Sequence, residues 1–182
     1  MDKILYFAYG SNLNAGQMKQ RCPDSGEISA AVLDGWQLKE RLYADIEPAP
    51  GECVNGALYE ISRKDLANLD LYEGYPEFYT RKRVQVTDSA GVYRKAWVYF
   101  MTPPYQDRRF SRPFPQHYRE VCSAGAEYWG IPNAFQPGSS EKTPCSRNPS
   151  PGFRRGFKPF WTTWTVNRRC RAPNGSGSGR MW

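Results

Sequence analysis

The stretch Tyr6-Phe7-Ala8-Tyr9-Gly10-Ser11-Asn12-Leu13 constrains this chain more than any other. Residues 3–8 read as a buried strand, and the apolar run breaks at Gly10 into small polar residues that expose backbone N–H groups. Residues 14–21 then suit a short helix, capped by Ser11, Asn12 or Asn14. A strand that turns through Gly-Ser-Asn into a helix can hold an anion, because the turn amides point outward and the helix start adds partial positive charge. Further along, Leu69-Asp70-Leu71-Tyr72-Glu73-Gly74-Tyr75-Pro76 puts a carboxylate at a helix end beside aromatic rings. An anion cradle and an apolar-shielded acid suit chemistry on a charged, amino-acid-like substrate.

The remaining pattern predicts about six strands and three helices in mixed order. Residues 29–33 and 36–43 are strand candidates around Asp34-Gly35, a hairpin-type signal. Residues 47–51, with Pro48 and Pro50, read as a loop, and 54–61 as a strand. Ser62 caps the next helix with Asp65 in a capping box, Leu66, Leu69 and Tyr72 share its apolar face, and Gly74 and Pro76 stop it. Glu73 then lies at a helix C-terminus, where the dipole raises a carboxyl pKa. Residues 79–87 and 92–101 form a hairpin about Asp88-Ser89-Ala90-Gly91, and a helix runs from Pro115 to Trp129. The fold class is α+β, with a small, mixed, barrel-like sheet flanked by helices.

Charge divides the chain in two. The net charge is +7, yet residues 134–182 carry nine Lys/Arg against one acid, which leaves 1–133 near neutral. Residues 1–133 are expected to form one domain, and 134–182, rich in Pro, Gly, Ser and Arg, a disordered basic tail. Phe153, Phe157, Phe160, Trp161 and Trp164 among its arginines would permit RNA contact by stacking, although such tails are more often simply solvated. Five dispersed cysteines, no secretory signal and no membrane-length apolar run predict reduced thiols in a cytoplasmic protein.

The residue inventory narrows the chemistry. The single histidine, His117, excludes a multi-histidine metal site, and no Asp/Glu/Cys cluster replaces it, so no metal is expected. A Ser11–His117 pair lacks the nucleophile-elbow motif. Glycine-rich nucleotide loops are missing. An isolated glutamate at a helix end is ordinarily solvated and inert, but Tyr72, Tyr75, Phe78 and Tyr79 around Glu73 would desolvate it toward a pKa useful for proton transfer.

Taken together, Tyr6 to Leu13, Leu69 to Gly74, Tyr79-x-Arg81 and the helix ending Gly125-Ala126-x-x-x-x-Gly130-Ile131-Pro132 after Tyr118 resemble the γ-glutamylcyclotransferase family in order and spacing. The resemblance covers about residues 4–133. It implies the family's small mixed barrel flanked by helices, and a cofactor-independent enzyme of the acyltransferase or cyclising-lyase type. Such an enzyme cleaves a small-molecule γ-glutamyl amide to 5-oxoproline and a free amine or amino acid. Glu73 matches the catalytic glutamate, and Tyr9, Gly10, Ser11, Asn12 and Leu13 the substrate-binding loop. Tyr79 and Tyr118 match pocket tyrosines. The alternatives are a noncatalytic binding or interaction module on the same fold, and an RNA-associated protein acting through its tail.

Overall fold

The structure is a computed structural model, and it describes residues 3–136. The expectations for residues 137–182, including disorder and the RNA-stacking aromatics, lie outside the described residues.

Five strands close into a barrel in the order β1-β3-β2-β4-β5. They are β1 (Ile4–Ala8), β2 (Gly26–Glu40), β3 (Ala44–Ile61), β4 (Tyr79–Asp88) and β5 (Tyr93–Met101). Every pairing is antiparallel except the closing contact of β1 with β5, which is parallel through Tyr6 and Trp97. That position explains the unbroken apolar run in β1: flanked by β3 and β5, it buries Tyr6, Phe7 and Ala8. Full closure leaves no unpaired edge.

Five strands stand where six were predicted, for a local reason. Residues 29–33 and 36–43 are not separate strands about a turn. Residues 26–40 form one continuous strand, with a register irregularity between Asp34 and Trp36 and Gly35 at φ 78°. An Asp-Gly pair supplies positive φ to a bulge as readily as to a hairpin. The chain reverses later, between Glu40 and Ala44. Residues 47–51 likewise belong to β3. Pro48 pairs with Trp36 and the next matched pair is Cys53 with Asp34, so Pro50 falls in the stretch of β3 that bulges out of register.

Three helices flank the barrel: α1 (Ala15–Arg21), α2 (Arg63–Glu73) and α3 (Gln116–Trp129). The start of α2 is as the sequence indicated. Ser62 Oγ accepts from the Asp65 N–H at 3.0 Å, and the Asp65 carboxylate accepts from the Ser62 N–H at 3.1 Å. Gly74 ends it in the left-handed region, φ 65°. Ser62→Ala is expected to cost about 1 kcal/mol, read by denaturant unfolding, with turnover per folded molecule unchanged. Asp70 fixes the far end of α2 to the barrel, forming an ion pair with Arg81 (2.8 Å) and accepting from the Tyr99 hydroxyl (2.6 Å).

Packing continues past Asn133. Phe135 is 3% exposed, its ring lies 5.9 Å from that of Phe114, and its carbonyl accepts from Arg119. Cys22 and Cys122 are free, buried thiols as expected. Among the described residues no helix is long and apolar enough to cross a membrane.

Candidate active site

The turn after β1 is a single 3₁₀ turn, Ser11–Leu13. The Leu13 N–H donates to Gly10 O (2.9 Å) and the Asn14 N–H to Ser11 O (3.1 Å). Asn14 then caps α1, its side chain accepting from the Gln17 N–H at 3.0 Å. The turn departs from the expected anion cradle in two respects. Leu13 has no free amide to offer, and its side chain is fully buried; its carbonyl accepts from Trp129 Nε1 at 3.0 Å, which ties the turn to α3. Helix α1 is only seven residues long, and the positive charge beside the turn comes from Arg21, which donates to Ser11 Oγ at 3.1 Å and to Asn12 Oδ1.

Glu73, the last residue of α2, meets this turn. The Asn12 Nδ2 donates to Glu73 Oε1 at 3.0 Å and to the Tyr6 hydroxyl at 2.8 Å. The residue as a whole keeps some solvent contact, but its carboxyl is enclosed by protein. Burial raises its pKa to about 7, against the opposing pull of Arg21 and of the Asn12 hydrogen bond. Burial is the largest cause, and of the expected shield Tyr79 lies within electrostatic reach of the carboxyl. Tyr72 and Tyr75 are 53% and 41% exposed, and their rings sit under the guanidinium groups of Arg21 and Arg81. The rings within electrostatic reach of the carboxyl are Tyr6 from β1, Tyr9 just after it, Tyr79 from β4 and Tyr118 from α3, all with pKa values raised far above the ordinary tyrosine range, chiefly by burial.

Three of these tyrosines have hydroxyls engaged by backbone. Tyr9 donates to Tyr99 O and Tyr79 to Ala44 O, each at 2.8 Å, and Tyr118 accepts from the Ala44 N–H at 3.2 Å. Ala44 opens β3, and the next residue, the fully buried Asp45, is paired with Arg41 and accepts from the Met101 N–H. Tyr79 and Tyr118 thus tie the β2–β3 reversal at Ala44 to β4 and α3. Gly10 lies close to Tyr118: a Cβ there would stand 3.0 Å from the Tyr118 hydroxyl. His117 is exposed on α3, and Ser11 Oγ is engaged by Arg21. Sequence reasoning missed Arg21 and the hydroxyl of Tyr6 as site groups. The signal for Arg21 was faint, a basic residue in the last helical turn spaced four from Gln17.

Among the described residues no three His, Cys, Asp or Glu side chains gather to hold a metal ion. The site is a largely buried carboxyl on a small closed barrel, hydrogen-bonded to the Asn12 side-chain amide and within electrostatic reach of four buried tyrosine hydroxyls.

Comparison with known proteins places the chain. The profile of the family described as "Gamma-glutamyl cyclotransferase, AIG2-like" matches residues 6–120, and the chain belongs to that family. It is 28% identical to the γ-glutamylcyclotransferases of Mus musculus and Homo sapiens over 148 residues, 74% of this chain and 76% of each relative. A solved structure titled "Gamma-glutamyl cyclotransferase" superposes with a TM-score of 0.68 at 26% identity, covering 84% of this chain and 93% of that one.

Proposed function

We propose that this protein cleaves a γ-glutamyl amide by intramolecular cyclisation, with Glu73 as general base and then general acid. The observation that carries the reading is the enclosed Glu73 carboxyl, 3.0 Å from the Asn12 amide of the turn and poised near neutral pH. The substrate's α-carboxylate lies against the turn at Gly10, Ser11 and Asn12, beside Arg21. Ionised Glu73 takes a proton from the α-ammonium. The freed amine attacks the γ-carbonyl of its own residue, and a five-membered ring closes. The tetrahedral intermediate collapses with loss of the amide C–N bond as the Glu73 acid gives its proton to the leaving nitrogen, and the regenerated carboxylate takes the second proton from the ring nitrogen and passes it to the released amine. The products are 5-oxoproline and the free amine, with no water, metal or cofactor consumed. Attack within one molecule has an effective molarity on the order of 10⁵ M or more when well oriented, so the protein need supply only orientation and proton transfer. Tyr9, Tyr79 and Tyr118 contribute the apolar wall that keeps the carboxyl poised. Leu13 contributes by anchoring the turn.

The test is incubation with several γ-glutamyl amino acids and with γ-glutamyl-ε-lysine, with 5-oxoproline measured by mass. Release from at least one of them is expected. A blank across the panel, with binding retained, would assign the protein to the noncatalytic module class instead. The pH dependence is a second expected outcome. Because Glu73 must be ionised, kcat/KM should rise with pH through about 7 with unit slope on its acid side. A profile that is flat across that region removes Glu73 from the role of base. We place the activity in residues 1–136, so a chain ending at Gln136 should retain it, whereas ending at Asn133 would remove the buried Phe135.

A further inference from the structure

Arg21 closes α1 and is half-buried. Besides Ser11 Oγ and Asn12 Oδ1 it donates to Gln17 Oε1 (2.7 Å) and to the Tyr72 hydroxyl, and its guanidinium carbon lies 3.8 Å from the centre of the Tyr72 ring. One guanidinium therefore joins the turn, α1 and α2. Arginine can only donate, so the Asn12 atom that faces it must be the amide oxygen. The amide nitrogen is thereby turned the other way, toward Tyr6 and Glu73. With the amide reversed, an acceptor would face the Glu73 carboxylate and a donor would face Arg21, and both hydrogen bonds would be lost.

We infer that Arg21 is a positioning residue for the proposed Glu73 site: it fixes the orientation of the Asn12 amide and holds a positive charge beside the carboxylate. This rests on the reading of Glu73 as the base. The other titratable groups coupled to Glu73 are Tyr6 from β1, Tyr9 just after it, Tyr79 from β4 and Tyr118 from α3, all held neutral by burial. Cys22, next to Arg21, has its thiol pushed up to about 12 by burial. Among the described residues, Arg21 is the cation that draws the Glu73 pKa downward against burial. Without it, the carboxyl would be protonated over more of the neutral range.

The experiment compares Arg21→Met and Arg21→Lys in the full chain. Methionine removes the charge and every donor. Lysine keeps the charge but lacks the planar fork that reaches several acceptors at once. For Arg21→Met the acid limb of kcat/KM is expected to move up by about one pH unit, and the alkaline plateau to fall about tenfold or more because the Asn12 amide is no longer held. For Arg21→Lys the limb should stay near that of the wild type while the plateau still falls. Carbon-13 NMR titration of the Glu73 carboxyl, assigned by its disappearance in Glu73→Gln, reads the same midpoint without substrate. Failure of the wild type to release 5-oxoproline would defeat the proposed reaction and leave the titration as the judge of Arg21. An unchanged Glu73 midpoint in Arg21→Met overturns the inference, whatever happens to melting temperature. Should Arg21→Met not fold, a wild-type plateau in Arg21→Lys overturns the orienting role.

Discussion

Glu73→Gln is expected to lower turnover at least ~10²-fold and, at alkaline pH, to raise the melting temperature. The two effects have one origin. Burial raises the Glu73 pKa from 4.5 to about 7 in the folded protein. Between those values the folded chain holds a proton that the unfolded chain has released, so stability falls as pH rises through the window. Above about 7 the full penalty of burying the charge is present. Glutamine keeps the shape and can still accept from Asn12, but carries no charge to bury. The gain should be on the order of 2–3 kcal/mol, after allowance for the partial solvent contact of the side chain. Below the ordinary glutamate range both forms are neutral and the difference should vanish. Thermal unfolding of both proteins at acid and alkaline pH, alongside 5-oxoproline release, checks it. A variant with full activity sinks the role of Glu73 as base. A variant less stable at every pH shows instead that the carboxylate serves the fold.

Gly125→Ala is expected to do the reverse, damaging the fold and the site together. A Cβ at this position of α3 would lie 2.6 Å from the Leu13 carbonyl carbon, 2.6 Å from its Cβ and 2.7 Å from the Asn14 nitrogen. Two of these are backbone atoms of the turn, which cannot rotate aside as a side chain can. Relief requires α3 or the turn to move, at a cost of about 1–3 kcal/mol. Asn12 precedes Leu13, so any shift in the turn displaces the amide that holds Glu73. Turnover, measured well below the melting temperature, should fall about tenfold or more. Gly26→Ala is the control, because a Cβ there has nothing within 4 Å. Equal activity per folded molecule in Gly125→Ala would show that the proposed chemistry tolerates a displaced turn.

Features whose causes are local could be read directly. The Ser62–Asp65 box, the left-handed Gly74 and the Gly10 break each involve residues a few positions apart, and each appears where the pattern indicated. Local signals failed where one signal serves two structures. Asp34-Gly35 supplied positive φ to a bulge inside β2, and Pro50 fell in the out-of-register part of β3, because the pairing partner, not the dipeptide, decides between a bulge and a turn.

The surroundings of Glu73 show the same division. Its place at the end of α2 follows from the helix stop signals of its own segment. Its burial does not: the adjacent Tyr72 and Tyr75 are exposed, and of the rings expected around it Tyr79 is within electrostatic reach, together with Tyr6, Tyr9 and Tyr118 from distant segments. Arg21 reaches Tyr72 across 51 positions of sequence, and Asn12 reaches Glu73 across 61. By itself the sequence determined the turn, the helix that delivers the acid and the family to which the chain belongs. The tertiary structure alone decided that the acid is enclosed, which cation opposes its burial and which way the Asn12 amide points, because desolvation and long-range charge pairing arise only once the barrel closes and brings distant segments into contact.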